Sequence, residues 1–166
     1  KSPSEGSGEV WISCEQAVHN ALSEPSTYTL SEEKNAVCQL ADRVETYLYE
    51  PGAALLKAGP YRLLSQRYGV KKLHPNSHLY TSSVQVDFPG RCFQVTGISG
   101  FGKKEVKELL GGLEKANLTV RNFPASVADL RKKLKLKEGG DVYLFATTLQ
   151  NGEKVLIKCL KPALLS

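Results

Sequence analysis

The spacing of apolar positions in the first half of the chain predicts alternating strands and helices. Short β-leaning or alternating runs predict strands at residues 9–14, 28–30, 45–49 and 79–81. Two further stretches predict helices at residues 32–40 and 53–68. Gly59-Pro60 is expected to break or kink the second helical stretch, because proline lacks an N–H and fixes φ. Gly69 is a suitable residue to end it.

The second half has the pattern of a compact α+β module. Strands are predicted at residues 92–95, 118–120, 142–148 and 154–159, and helices at about 103–115 and 126–135. An apolar stripe at i, i+3, i+4 and i+7 marks the first of these helices, and Ser126 is a good N-cap for the second. Asn151-Gly152 predicts a hairpin turn between the last two strands.

Composition narrows the class of protein. The chain has 166 residues, of which 41% are hydrophobic and 23% charged, as in a globular protein. Its apolar runs are far shorter than the ~20 residues of a membrane span, so no membrane partner is expected. Residues 1–8 are polar and resemble a linker rather than a signal peptide. The cysteines are widely separated without a CxxC pair, which favours reduced thiols and a cytoplasmic protein.

Charge is divided unevenly along the chain. Residues 1–50 contain 3 basic and 9 acidic side chains, a net charge of −6, whereas residues 51–166 contain 19 basic and 8 acidic ones, a net charge of +11. Such asymmetry favours a part that faces a polyanion, although a lysine-rich solvated surface has the same composition.

The most unusual segment spans residues 71–83 and collects polar side chains of many kinds. Pro75 prevents a helix there, so the segment is expected to be a connection that leads into a strand. Histidine and tyrosine can stack on unpaired bases while lysines hold phosphates, whereas a histidine bonded to its own loop is the plainer interpretation. The candidate RNA contacts in this segment are Lys71, Lys72, His74, Asn76, His78 and Tyr80.

A second candidate surface is basic. Within the predicted helix 126–135, Arg131, Lys132 and Lys135 fall on one side, opposite the apolar positions, and Lys133 is a weaker candidate. Arg121 is expected at the same end of the module. Concentrated like charge costs self-repulsion unless an anion is near, although chance clustering of lysines remains an alternative.

No catalytic residues, metal ligands or cofactor-binding residues are predicted. Gly97-x4-Gly102 resembles a phosphate loop, but Lys104 stands where a hydroxyl would hold magnesium, which leaves at most a backbone phosphate near Lys103 and Lys104. His74-x3-His78 has a zinc-like spacing but lacks further ligands. No glycine-rich loop with a following acidic residue provides an adenosylmethionine site.

Several motifs, in order, resemble a known arrangement of domains. They are YLYEP at 47–51, LKAG at 56–59, KLHPNSHLYTS at 72–82, DFPGR at 87–91, RNFP at 121–124, LRKKLKLKEGGD at 130–141 and YLFATT at 143–148. They resemble the ferredoxin-like module and the following THUMP-like domain of a bacterial family of class I S-adenosylmethionine-dependent methyltransferases. EVWISC at 9–14 is similar to a late strand of the methyltransferase domain in that family.

The resemblance implies an α+β fold with three parts. Residues 1–43 would be a linker and the tail end of the catalytic domain, residues 44–90 a ferredoxin-like module, and residues 91–166 a THUMP-like domain. S-adenosylmethionine would bind the parent enzyme outside this chain. The modules would present the substrate, expected to be tRNA or rRNA, and contact their own catalytic domain. The alternative is a structural module that packs on that domain or dimerises without RNA.

Overall fold

The computed structural model describes residues 11–14 and 26–162. Strands β1 (Trp11–Cys14) and β2 (Ser26–Thr29) form a separate antiparallel pair. The first two residues of the strand predicted at 9–14 lie outside the described residues.

The first helix is shorter than the sequence predicts. Helix α1 (Leu30–Asn35) begins with a capping box, in which Thr29 and Glu32 exchange side-chain and backbone hydrogen bonds. Two of the backbone N–H groups beyond Ala36 bond side chains of another helix instead of helical carbonyls. Val37 N donates to Gln66 Oε1 at 2.8 Å, and Gln39 N donates to Ser65 Oγ at 3.1 Å. Tertiary hydrogen bonds therefore replace the predicted last turn.

The next elements confirm the predicted break at Gly59-Pro60. They are β3 (Tyr47–Pro51), α2 (Ala53–Ala58), α3 (Tyr61–Tyr68), β4 (Lys71–Lys72) and β5 (Tyr80–Ser82). Gly59 and Gly69 end α2 and α3 in the left-handed conformation, with φ of 82° and 66°, which glycine adopts at no steric cost.

The second half follows the predicted order of elements. They are β6 (Gly90–Ser99), α4 (Lys103–Leu110), β7 (Asn117–Arg121), α5 (Val127–Leu134), β8 (Tyr143–Thr148) and β9 (Lys154–Leu160). Ser126 caps α5 as expected, since its side chain accepts from Asp129 N. Helix α4 is shorter than predicted because Gly111 turns into the left-handed region.

The two halves share one seven-stranded sheet of order β4-β5-β3-β6-β9-β8-β7. Strand β6 joins them, because it pairs with β3 on one side and with β9 on the other. This double pairing explains why the strand predicted at 92–95 extends over ten residues and includes Gly97, which the sequence places in a glycine-rich loop. The β7–β8 pair is parallel, and the other pairs of this sheet are antiparallel.

The two faces of the sheet are covered differently. Helices α2 and α3 pack against the face that carries Tyr49, and α4 and α5 pack against the face that carries Leu144. Strand alternation places these residues on the same face, so all four helices lie on one side. The other face carries Leu48, Phe93 and Phe145 and is covered mainly by connecting segments that supply Ala41, Leu73, Leu79 and Leu149.

Among the described residues, no helix has the length and apolar character needed to cross a membrane.

We expect Phe93→Ala to destabilise the whole sheet. Its ring is 1% exposed and contacts the rings of Tyr143 and Phe145 at 4.9 and 5.0 Å between centroids. Loss of a core phenylalanine typically costs about 3–5 kcal/mol. Urea unfolding should show this loss in one cooperative transition. Val84→Ala, at a side chain 68% exposed, is the control and should stay within about 0.5 kcal/mol.

Candidate functional site

The polar segment forms a tight loop between β4 and β5. Leu73 N donates to Leu79 O at 2.9 Å and closes the loop, and Ser77 N donates to His74 O at 3.1 Å inside it. His78 has φ of 49°, a left-handed conformation that is uncommon for a residue other than glycine. We call residues 74–78 the polar loop.

His74 is committed to the conformation of the polar loop. Its Nδ1 accepts a hydrogen bond from Asn76 N at 2.9 Å. In the neutral ring this places the proton on Nε2, because an accepting nitrogen cannot also carry the hydrogen. The Asn122 amide nitrogen also lies 3.3 Å from His74 Nδ1.

The second half of the chain anchors the polar loop. Ser77 is buried, and its hydroxyl donates to Thr148 O at 2.7 Å. Asn122 Nδ2 donates to Ser77 Oγ at 3.3 Å, and Thr148 Oγ1 donates to Asn122 O at 2.6 Å. The position of the loop therefore depends on residues that lie more than forty positions away in the sequence.

His78 lies flat against Tyr61, with ring centroids 3.7 Å apart and planes at 18°. Burial, together with the nearby positive charges of Lys72 and Arg121, lowers the pKa of His78 to about 4. The imidazole is therefore neutral near pH 7. Its Nδ1 is buried without a hydrogen-bond partner among the described residues.

Lys72 and Tyr80 point inward, contrary to a role as surface contacts. Tyr80 is fully buried, and its hydroxyl donates to Tyr61 O at 2.7 Å, so it cannot stack on a base. Lys72 is 3% exposed; its Nζ donates to Pro75 O and lies 4.9 Å from the Tyr61 ring centroid. Burial lowers the pKa of Lys72. Lys71 alternates to the outside and pairs with Glu45 at 3.3 Å.

A cleft of about 480 Å³ opens beside the polar loop. We call it the loop cleft. It is lined mainly by Tyr61, Arg62, Lys72, Asn76 and His78, with Glu33 on one side. Asn76 and Arg62 are exposed, so both reach solvent at its rim. The candidates Lys72, Asn76 and His78 thus come together in this cleft. Tyr61 and Arg62 of α3, which the sequence analysis did not predict, lie beside them.

The basic candidates do not form the single helical face that their spacing predicts. Arg131 is half-buried, and its Nη1 donates to Ala116 O and Leu136 O at 3.3 and 3.4 Å. Its guanidinium therefore stabilises the segments on either side of it and is not a free surface charge. Lys135 follows the end of α5 in a left-handed conformation, with φ of 57°. Lys132 remains exposed on the helix.

A second cleft, of about 450 Å³, collects lysines from separate segments. It is lined by Leu113, Glu114, Lys115, Lys135 and Lys137, and we call it the basic cleft. A parallel bridge between Lys115 and Lys137 brings the two segments together. None of the three lysines has an ion-pair partner within 4 Å among the described residues. Lys115 was missed because only this long-range pairing places it beside the others.

Neither the glycine-rich segment nor the histidine pair forms the kind of site that its spacing suggests. Glu105 Oε2 accepts from Gly100 N at 2.9 Å, so a carboxylate already occupies the start of α4 beside the exposed Lys103 and Lys104. In the described part of the chain, no three His, Cys, Asp or Glu side chains come together in a way that could hold a metal ion.

Two family models match adjoining parts of the chain. One, described as a ferredoxin-like domain, matches residues 47–89, and the other, described as THUMP domain-like, matches residues 90–161. Over residues 47–161 the chain therefore contains a ferredoxin-like module followed by a THUMP-like domain. The expected fold class is therefore confirmed, and the junction falls at the start of the shared strand β6.

A solved structure extends this similarity. The crystal structure of a protein from Porphyromonas gingivalis W83, proposed to be a methyltransferase, matches with a TM-score of 0.78 and 39% identity. The match covers 85% of this chain and 35% of that one, so the chain spans about a third of the length of that protein. No curated protein sequence matches.

One buried carboxylate ties the ferredoxin-like module to the THUMP-like domain. Glu50 in β3 is 5% exposed, and it accepts from Arg91 Nε at 2.9 Å and from Arg121 Nη2 at 2.8 Å. Strands β3 and β7 are four strand spacings apart, roughly 19 Å in a flat sheet. The sheet must therefore curl to bring Arg121 to Glu50. Arg121, a candidate RNA contact, is thus half-exposed but already paired.

We expect Glu50→Ala to lower stability by roughly 1–3 kcal/mol, because it removes charged hydrogen bonds to two arginines that remain partly solvated. Denaturant unfolding would measure the loss. Glu45→Ala is the matched control, since it removes only the surface pair with Lys71 and should cost at most about 1 kcal/mol. Equal effects would mean that the interior position of Glu50 is unimportant.

We expect His78 to make the fold sensitive to acid. Its pKa is about 4 in the folded chain against an ordinary 6.5, so its contribution is complete above pH 6.5 and is lost as the pH falls towards 4. The loss should be at most about 3 kcal/mol. Unfolding measured from pH 7 to 4 should show a steeper decline for the native chain than for His78→Asn, since asparagine tolerates the left-handed backbone. Parallel curves would contradict this.

Proposed function

We propose that this chain is the substrate-recognition region of a class I S-adenosylmethionine-dependent methyltransferase, and that the substrate is RNA. The basic cleft in the THUMP-like domain carries the proposal, because it gathers three lysines around one glutamate, Glu114, and none of the three is in an ion pair within 4 Å among the described residues. Unneutralised lysines at a concave surface favour a polyanion. THUMP domains are typically RNA-binding, which agrees with this electrostatic argument.

The methyltransferase part of the proposal draws on the solved structure. That protein is proposed to be a methyltransferase, and the present chain corresponds to 35% of its length. S-adenosylmethionine, the methyl donor, would then bind in a catalytic domain outside this chain. No residue described here is assigned to that cofactor, since the sequence has no glycine-rich adenosylmethionine loop.

Within this proposal, the candidate residues have different roles. Lys132, Lys135 and Lys137 would contact phosphates, together with Lys115, because all four are exposed. Arg131 would support the surface from behind, through its bonds to backbone carbonyls, whereas Arg121, at the other end of β7, is held by Glu50 outside the basic cleft. Phosphate contacts of this kind position an RNA without reading its sequence.

We expect the chain to bind tRNA or rRNA fragments with a steep dependence on salt. Contact with about five phosphates of a single strand gives a log–log slope of about −3.5. The double variant Lys135→Glu/Lys137→Glu should weaken binding at least about tenfold and make the slope less negative by about 1.4, since each contact contributes about 0.7. Filter binding over a range of salt concentrations measures both quantities.

The double variant Lys57→Glu/Lys154→Glu is the control, because it changes the net charge equally at exposed lysines outside the basic cleft. An equal loss in the control would move the site elsewhere. Absence of binding by the native chain at low salt would reject RNA as the ligand and favour a module that packs on its catalytic domain or dimerises.

A further inference from the structure

The loop cleft in the ferredoxin-like module contains a buried cation that forms no ion pair with the described residues. Lys72 is 3% exposed, and no carboxylate among the described residues lies within 4 Å of its Nζ. Its contacts are the Pro75 carbonyl and the face of the Tyr61 ring. Buried charges in proteins are normally paired, because desolvation is costly. The ammonium group is therefore available to an anion that enters the cleft.

The other charged groups of the loop cleft leave an excess of positive charge. Glu33 is its one acidic lining residue within the described chain, and its two carboxylate oxygens accept from Arg62 N and Leu63 N at 3.0 and 2.9 Å. This carboxylate is occupied in capping α3. The Arg62 guanidinium lies at the rim, where Nη1 donates to Lys34 O at 3.3 Å. The cleft is thus lined by two basic side chains, Lys72 and Arg62, and by one carboxylate that is already hydrogen-bonded to the backbone of α3.

The remaining lining suits a planar polar group. The Tyr61–His78 stack forms an aromatic wall, and the exposed Asn76 has a side-chain amide without a hydrogen-bond partner among the described residues. An amide offers both donors and an acceptor, which matches the edge of a nucleobase. Unpaired bases are held in proteins by aromatic or guanidinium planes and by hydrogen bonds to their edges. A volume of about 480 Å³ is typical of small-ligand sites.

We propose that the loop cleft binds one nucleoside monophosphate unit, with its phosphate at Lys72 and Arg62 and its base edge at Asn76. This rests on the proposed RNA function, in which the unit is an unpaired nucleotide of the substrate. The basic cleft supplies affinity that is independent of sequence, and the loop cleft supplies base selectivity. A free nucleotide has the same chemistry and is distinguished by the experiment.

The first experiment titrates the full chain with the four 5′-ribonucleoside monophosphates, ribose 5-phosphate and inorganic phosphate, followed by amide NMR. We expect saturable shifts at Arg62, Lys72, Asn76 and His78. At least one nucleotide should bind about tenfold more tightly than ribose 5-phosphate, a difference of about 1.4 kcal/mol. Equal affinity for all six compounds would overturn the assignment of a base site, and the absence of saturable shifts would overturn the proposal.

Variants at the rim test the named contacts without disturbing the core. Arg62→Ala and Asn76→Ala should each weaken nucleotide binding about tenfold, or about 1.4 kcal/mol. Arg67→Ala is the control, because Arg67 is exposed on the same helix, pairs with Glu32 and does not line the cleft. Lys72→Met keeps the buried stem and removes the charge. If that variant fails to fold, Arg62→Ala still decides the phosphate contact, and an unchanged affinity in it would reject that contact.

A short single-stranded RNA separates failure of this proposal from failure of the proposed function. Retained RNA binding without mononucleotide binding would reject the loop cleft alone. Mononucleotide binding without RNA binding would reject the RNA function and assign the cleft to a free nucleotide. Where both bind, Asn76→Ala should change the preference among oligonucleotides of different base composition, whereas Lys135→Glu/Lys137→Glu should weaken all of them alike.

Discussion

The carboxylate of Glu50 is the side-chain contact that ties the two halves of the molecule together across the sheet that they share. It lies at the end of β3 in the ferredoxin-like module, yet its oxygens bond arginines at the start of β6 and the end of β7 in the THUMP-like domain. A buried carboxylate needs such partners because desolvation of an unpaired charge is unfavourable. The contact requires the shared sheet to curl, and the curl brings the ends of β7 and β8 to the polar loop. Both candidate clefts therefore sit on one continuous scaffold.

The curl gives the polar loop its defined shape. Ser77 and His74 meet Asn122 and Thr148 from the far edge of the sheet, and His78 is pressed against Tyr61 from α3. A loop of this composition would otherwise be solvated and variable. Here its hydrogen bonds are largely used to hold its own conformation. Asn76 and the rim of the cleft remain for a ligand, while the hydroxyl groups and Tyr80 support the structure.

Much of the fold could be predicted from local patterns. The break at Gly59-Pro60, the N-cap at Ser126 and the final hairpin depend on neighbouring residues, and the structure contains all three. The errors lie at positions where distant contacts override local preference. Helix α1 ends early because its next N–H groups bond side chains of α3, and β6 is long because it has a partner on each side. The candidate site was predicted less well, since spacing does not reveal that Tyr80 is buried or that Lys115 adjoins Lys137.

By itself, the sequence determined the order and approximate positions of most strands and helices, that the second half is basic, and that residues 71–83 are largely a polar connection. These properties follow from local periodicity, proline and glycine chemistry, and composition. Only the tertiary structure decided which basic residues are free to act. It paired Arg121 with Glu50 and turned Arg131 towards backbone carbonyls, whereas it buried Lys72 at the loop cleft without an ion-pair partner among the described residues. The physical reason is that side-chain availability depends on pairing and burial across the curled sheet, which join residues that are distant in the chain.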